Sequence, residues 1–234
     1  MRKTIAIFIM AALILPLSMK AINLNGAYYE GIAKMKGKPI DGWLSMELDD
    51  EDAEINFCNK INFLGSYTPK VVGNQVTLTV AVPGNPKAVF KSEDGGDTFQ
   101  GTLNFNGQTF EAWVLRVPKK LKKTTLPDNE LESILSSPDG YTSFCVMENS
   151  DGKASITSDF SFSPGGSFSM ICDSQAMQNH FRNLKGTYRV SDGKVILNAG
   201  NGVTLTGEIY EDGNYIKIPM GTGAGIKWTI LLIR

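Results

Sequence analysis

A two-residue rhythm, broken at short intervals by turn signals, constrains this chain more than any other feature. Ile40, Gly42, Leu44, Met46 and Leu48 fall on one side of a run whose other side carries Asp41, Ser45 and Glu47. Val76, Leu78, Val80 and Val82 likewise alternate with Gln75, Thr77, Thr79 and Ala81. Successive side chains of a strand point to opposite faces, so this rhythm marks strands with one buried face. Pro83-Gly84-Asn85-Pro86 and Pro164-Gly165-Gly166 break it, as Pro and Gly clusters do. Asn106-Gly107, Asp192-Gly193 and Asp212-Gly213 are hairpin pairs, because both residues tolerate φ > 0. About eight strands are expected between Gly26 and Val117 by this reading.

A six-residue phrase recurs on top of the rhythm. It reads Asn23-Leu24-Asn25-Gly26-Ala27-Tyr28, Asn62-Phe63-Leu64-Gly65-Ser66-Tyr67 and Asn183-Leu184-Lys185-Gly186-Thr187-Tyr188, with Asp139-Gly140-Tyr141 as a shorter relative. A Gly ahead of a strand can take φ > 0 or admit a neighbouring backbone, and the Tyr then opens the strand. Repetition of such a unit points to duplication.

The chain divides where composition changes. Pro118-Lys119-Lys120-Leu121-Lys122-Lys123, then Thr124-Thr125-Leu126-Pro127, read as a solvated linker. Asp128 or Asn129 is placed to cap a short helix carrying Leu131, Ile134 and Leu135, and Ser136-Ser137-Pro138 ends it. Ser174 is placed to cap a second short helix with Met177 and Phe181 on one side. The expected segments are a leader at 1–21, a first β unit at 22–117, a linker with helix at 118–138 and a second β unit at 139–234.

Arg2 and Lys3, the apolar run Ile5 to Leu17 and the small residues up to Ala21 have the layout of a secretory signal peptide. The run is short of the roughly 20 apolar residues of a spanning helix. No Cys follows it before Cys58, which argues against a lipid-modified anchor. A periplasmic or secreted product without a membrane span is expected. Loss of Arg2, Lys3 and Lys20 takes the formal net charge from −1 to −4, with no basic surplus for nucleic acid.

Catalytic and metal patterns are missing. The only His is His180, with no G-x-S-x-G elbow to support a triad, and Cys172 beside His180 has no oxyanion signature. No C-x-x-C pair exists. Cys58, Cys145 and Cys172 read as small buried residues, one pair of which an oxidising compartment could join. Cys58 and Cys172 each precede a copy of the phrase and read as matching core positions. The acidic run Asp49-Asp50-Glu51-Asp52 lacks the spacing of a calcium loop and reads as a hairpin tip. No cofactor, metal site or catalytic residue is assigned, no ligand-binding residue is named, and enzyme activity is not expected.

The halves also align from Gly65 through Gly73-Asn74 to Trp113-Val114-Leu115-Arg116, and from Gly186 through Gly193 to Trp228 and Arg234. A G-x-aromatic opening strand, an eight-stranded meander and a closing strand ending in Arg resemble the lipocalin-like (calycin-like) domains of secreted bacterial proteins. The resemblance covers Asn23 to Val117 best, and Leu184 to Arg234 in the second half. Tyr28 and Tyr141 stand where the family's G-x-W has Trp. The resemblance implies two tandem antiparallel up-and-down barrels with one or two short helices. It also implies packing of Tyr28 against Arg116 at a barrel end, on adjacent first and last strands. Phe99, Leu103, Phe105, Phe160 and Phe162 are the inward candidates. Trp43 sits on the polar face of its strand, where it either is covered by a loop or by the other unit or marks a sugar or partner surface. The implied function is non-enzymatic binding of a small apolar or carbohydrate ligand. The alternative is a structural or protein-interaction module of the envelope without a small ligand.

Overall fold

A computed structural model of the chain describes residues 22–34, 38, 41–85, 87–105, 107–172, 183–200 and 202–234. The leader, the helix expected from Ser174, and His180 lie outside the described residues.

Eight strands make the first half: β1 (Ala27–Lys34), β2 (Asp41–Asp49), β3 (Asp52–Phe57), β4 (Ile61–Val72), β5 (Gln75–Ala81), β6 (Ala88–Ser92), β7 (Thr98–Phe105) and β8 (Gln108–Val117). Each pairs antiparallel with the next, and β1 also pairs with β8, from Tyr28 opposite Val117 to Lys34 opposite Glu111. The result is a closed antiparallel barrel, an architecture compatible with a lipocalin-like fold. Two-residue connections do much of the turning. Gly73 at φ +63° and Gly107 at φ +74° supply the left-handed positions that β-carbons resist.

The alternation sets what fills the barrel. Leu44, Met46 and Leu48 of β2 point inward with Val76, Leu78 and Val80 of β5. Phe99 and Leu103 join them, and Phe105 is half-buried against Phe63 with ring centroids 5.0 Å apart. Tyr29 meets Phe99 edge-on at 5.4 Å. The inner positions are thus occupied by packed side chains, as in small barrels whose interior is core.

Eight more strands lie outside this barrel: β9 (Tyr141–Asn149), β10 (Gly152–Ser163), β11 (Ser167–Cys172), β12 (Leu184–Ser191), β13 (Lys194–Ala199), β14 (Thr204–Tyr210), β15 (Tyr215–Gly223) and β16 (Ile226–Ile233). Each from β9 to β15 pairs antiparallel with its successor, and β16 pairs with β9. Phe160 and Phe162 are buried in the core of this half with Phe168, Met170 and Tyr188. The helix α1 (Asp128–Leu135) drops Leu131 and Leu135 into the same core. Its amino end is not capped by its own side chains. The Asp128 carboxylate instead accepts from the backbone N–H groups of Asp192 and Gly193 at 3.1 Å each, and Glu132 accepts from that of Val190. Those donors lie at the β12–β13 hairpin, so the helix is fastened to the strands beneath it.

The linker is fastened too, rather than free in solvent. Glu211 N–H donates to the Lys122 carbonyl at 2.9 Å, and Lys122 N–H donates to the Glu211 carboxylate at 2.6 Å. Lys123 Nζ reaches Glu208 at 2.9 Å, Lys119 reaches Glu47, and Leu121 is partly buried between the halves.

Three copies of the phrase do not share one structural role. Gly65 and Gly186 sit inside β4 and β12, where an added β-carbon would lie 2.4 Å from the Ala81 carbonyl oxygen and 1.9 Å from that of Asn198. Both therefore admit a neighbouring strand. Tyr67 and Tyr188 lie in mid-strand, not at strand starts, and donate backbone N–H bonds to Glu51 and Gly166 in matching turns. Gly26, by contrast, is a turn residue at φ +73° ahead of β1.

Candidate functional site

Register decides which residues of the two halves correspond. Tyr29, not Tyr28, faces Arg116. Thr142 faces Ile233, which brings Arg234 over the Tyr141 ring at 4.7 Å. Tyr29 donates its hydroxyl to the Gly96 carbonyl at 2.8 Å, and Tyr141 donates to that of Gly213 at 2.7 Å. Arg116, expected against Tyr28, therefore lies opposite Tyr29, and its guanidinium donates to the Asn23 carbonyl at 3.2 Å. Side chains alternate across a strand, so Tyr28 points outward, where its hydroxyl meets Glu30 at 3.3 Å. From the Tyr29–Tyr141 correspondence, Trp113 matches Leu231 rather than Trp228. Cys172 matches Phe57 rather than Cys58, which sits half-buried in the β3–β4 turn at φ +58°.

The cysteines offer no bridge between β9 and β11. Cys145 and Cys172 are buried on strands separated by β10, about 9.6 Å at two strand spacings. A disulfide needs α-carbons within roughly 7 Å. Burial, with the neighbouring Cys172 second, pushes the Cys145 thiol up to about 12, far from a reactive thiolate. Among the described residues no three of His, Cys, Asp or Glu are grouped to hold a metal. Asp49, Asp50 and Asp52 form the exposed β2–β3 tip, as expected.

Between the halves lies a shared apolar cluster. Trp43 is 1% exposed, and it packs with Ile32, Phe144, Val146, Tyr215 and Leu231. Phe144 meets the Trp43 ring edge-on at 5.6 Å and the Trp113 ring at 5.7 Å. Lys153 Nζ lies over the Trp43 ring, 4.2 Å from its centroid, and burial lowers its pKa. The second half is thus what covers the tryptophan that the alternation left on a polar face. Tyr215 donates to Glu30 at 3.2 Å across the same junction. Backbone pairing joins the halves directly, Gly42 with Ala154 and Asp41 with Ser155.

Beside this junction a groove of about 1270 Å³ opens on the outer face of the barrel. Its floor is Ile32 of β1 and Trp113 of β8. Lys91, Gln100 and Thr102 rise on one side, Lys34 and Glu111 lie at one end, and Thr157 of β10 stands on the other half. Pairing explains the array. Lys91 faces Gln100, Gln100 faces Trp113, and Trp113 faces Ile32, so one cross-strand row supplies a cation, an amide, an indole and an apolar base. The row beside it runs Thr102, Glu111, Lys34. Asp94, on the rim, is committed to the turn, since its carboxylate accepts from Ser92 Oγ at 2.6 Å and from the N–H groups of Asp97 and Thr98. Those bonds hold its pKa down against its partial burial.

A half-buried indole surrounded by exposed amide, hydroxyl and charged groups can stack on an apolar ring face while its neighbours bond to hydroxyls. Sequence reasoning named none of these residues as a site. They come from four strands plus β10, and only the register brings them together. No family model, curated protein or solved structure matches the chain.

Proposed function

We propose that this is an exported, non-enzymatic binding protein built from two tandem lipocalin-like units, and that it holds a small carbohydrate in the groove. The observation that carries the reading is Trp113, half-buried on the groove floor between Gln100 and Ile32 with Lys91, Thr102 and Glu111 around it. The packed interiors favour this outer groove over an apolar ligand inside a barrel. Two units, 22–117 and 139–234 around the linker at 118–138, accord with the matching Tyr–Gly hydrogen bonds. The pairing of β9 with both β10 and β16 supports reading the second unit as a barrel. Export rests on Arg2, Lys3 and the apolar run to Leu17, with release at Ala21.

Native mass spectrometry of protein purified from its host tests the binding. A reproducible bound mass, lost in Trp113→Ala, is the expected result. A wild-type protein without any bound or titratable glycan would favour an envelope interaction module instead. The same spectra read the mature amino terminus, expected at Ile22.

A further inference from the structure

Trp43 and Thr157 occupy matching places. Ile32 lies three residues past Tyr29 and faces Trp43, while Phe144 lies three residues past Tyr141 and faces Thr157. The matching residues Asp41 and Ser155 pair with each other, so the halves meet about a local two-fold. That relation makes two sides of one junction. On one side the floor is Phe144 and Leu231, and Trp43 crosses from the first half to fill the space above it. On the other side the floor is Ile32 and Trp113, and the residue that crosses from the second half is Thr157.

We propose that the groove is a composite site whose width is set by Thr157, the small residue that stands where the opposite side of the junction carries Trp43. This deepens the carbohydrate reading and rests on it for the ligand. An indole is larger than a threonine side chain by most of two fused rings. On the Trp43 side that volume leaves a buried apolar cluster, and on the Thr157 side its absence leaves a groove. The floor is shared across the junction as well. Phe144 touches the Trp113 ring at 5.7 Å, so the second half holds the indole on which the ligand stacks. Thr157 is therefore a specificity-determining residue supplied by one half to a site on the other. The ligand class that fits is a carbohydrate thick enough to need the opened space, with one face on Trp113 and its rim near Thr157.

Two measurements on the full chain test this. In the first, glucose and N-acetylglucosamine oligosaccharides are titrated against wild type and Thr157→Trp. Thr157→Trp is expected to lose at least tenfold with an unchanged melting temperature. If wild type binds and Thr157→Trp binds equally, the width is not set here, although the carbohydrate reading stands. In the second, which needs no ligand, Gln100→Cys is labelled with a bulky maleimide in backgrounds carrying Thr157 or Thr157→Trp. Labelling several-fold slower with the tryptophan supports the wall, and equal rates overturn it. Absence of glycan binding by wild type together with slowed labelling would remove the carbohydrate reading and leave the composite groove in place.

Discussion

The two halves fasten their strands alike and cover their cores differently. In each, the tyrosine facing the last strand's arginine donates to a glycine carbonyl in the loop two strands before the end: Tyr29 to Gly96 and Tyr141 to Gly213. What lies over the core differs. Leu24, one turn ahead of β1, covers the first, while the two-turn helix α1 covers the second through Leu131 and Leu135. The outer walls differ as well, Trp43 against Thr157. Contacts made by paired strands are fixed by register and so recur. Lids and outward residues answer only to their surroundings, and there the halves differ.

The largest expected effect sharpens the contrast at the junction. Trp43→Ala should cost about 3–5 kcal/mol, as large aromatic truncations in a core do. Thr157→Ala should cost less than about 1 kcal/mol, since that residue borders open space. Urea unfolding of both variants reads the difference, and equal losses would break the contrast. Next come the lids. Leu131→Ala should cost about 2–5 kcal/mol and Leu24→Ala a value at the low end of that range, because a single turn holds it.

The alkaline limb ranks third. Burial raises Tyr141 to about 12, and burial followed by the nearby Glu30 raises Tyr28 to about 12. A folded-state value above the unfolded value near 10 means the native state keeps its proton longer. The stabilisation is complete below pH 10 and is lost as pH rises from 10 to 12, by up to roughly 2 kcal/mol for Tyr141 and by less for Tyr28, whose greater contact with solvent screens it. Denaturation midpoints at pH 8, 10, 11 and 12 should fall over that interval, and less steeply in Tyr141→Phe. At neutral pH, Tyr29→Phe and Tyr141→Phe should each cost about 1 kcal/mol, the worth of one hydroxyl bond. Unequal losses would show that the two latches are not the same device. The smallest effect is Lys153→Met, about 0.5–1 kcal/mol for the contact with Trp43, measured as a modest drop in melting temperature.

Much of the strand framework was legible in the sequence because alternation and turn residues are local properties. The eight strands from Ala27 to Val117 and a short helix carrying Leu131 and Leu135 follow from them, while the neighbouring first and last strands of the barrel were implied by the resemblance. Correspondence between halves was harder to read. Tyr28 and Tyr29 are adjacent and alike, and only pairing with Arg116 tells which points inward. Cys58 and Trp228 misled in the same way, as matching residue types a few positions from the matching places. The phrase at Asn23 resembled the other two in letters but not in backbone, since Gly26 takes a left-handed turn. The groove was invisible for another reason. Gln100, Trp113 and Thr157 are unremarkable one at a time, and no local pattern announces that β10 will stand beside β8.

The pairing of β1 with β8 carries a kinetic consequence. Tyr28 must find Val117, and Thr142 must find Ile233, almost a full half-chain away in each case. The six intervening strands can form hairpins with their neighbours early, but the last seam waits for a distant segment. Chains dominated by such non-local contacts fold in milliseconds to seconds rather than microseconds. Until Val117 has emerged and found its place, β1 presents unsatisfied backbone donors and acceptors along one flank. During synthesis and folding, the opening strand is therefore the segment most dependent on being kept from other chains.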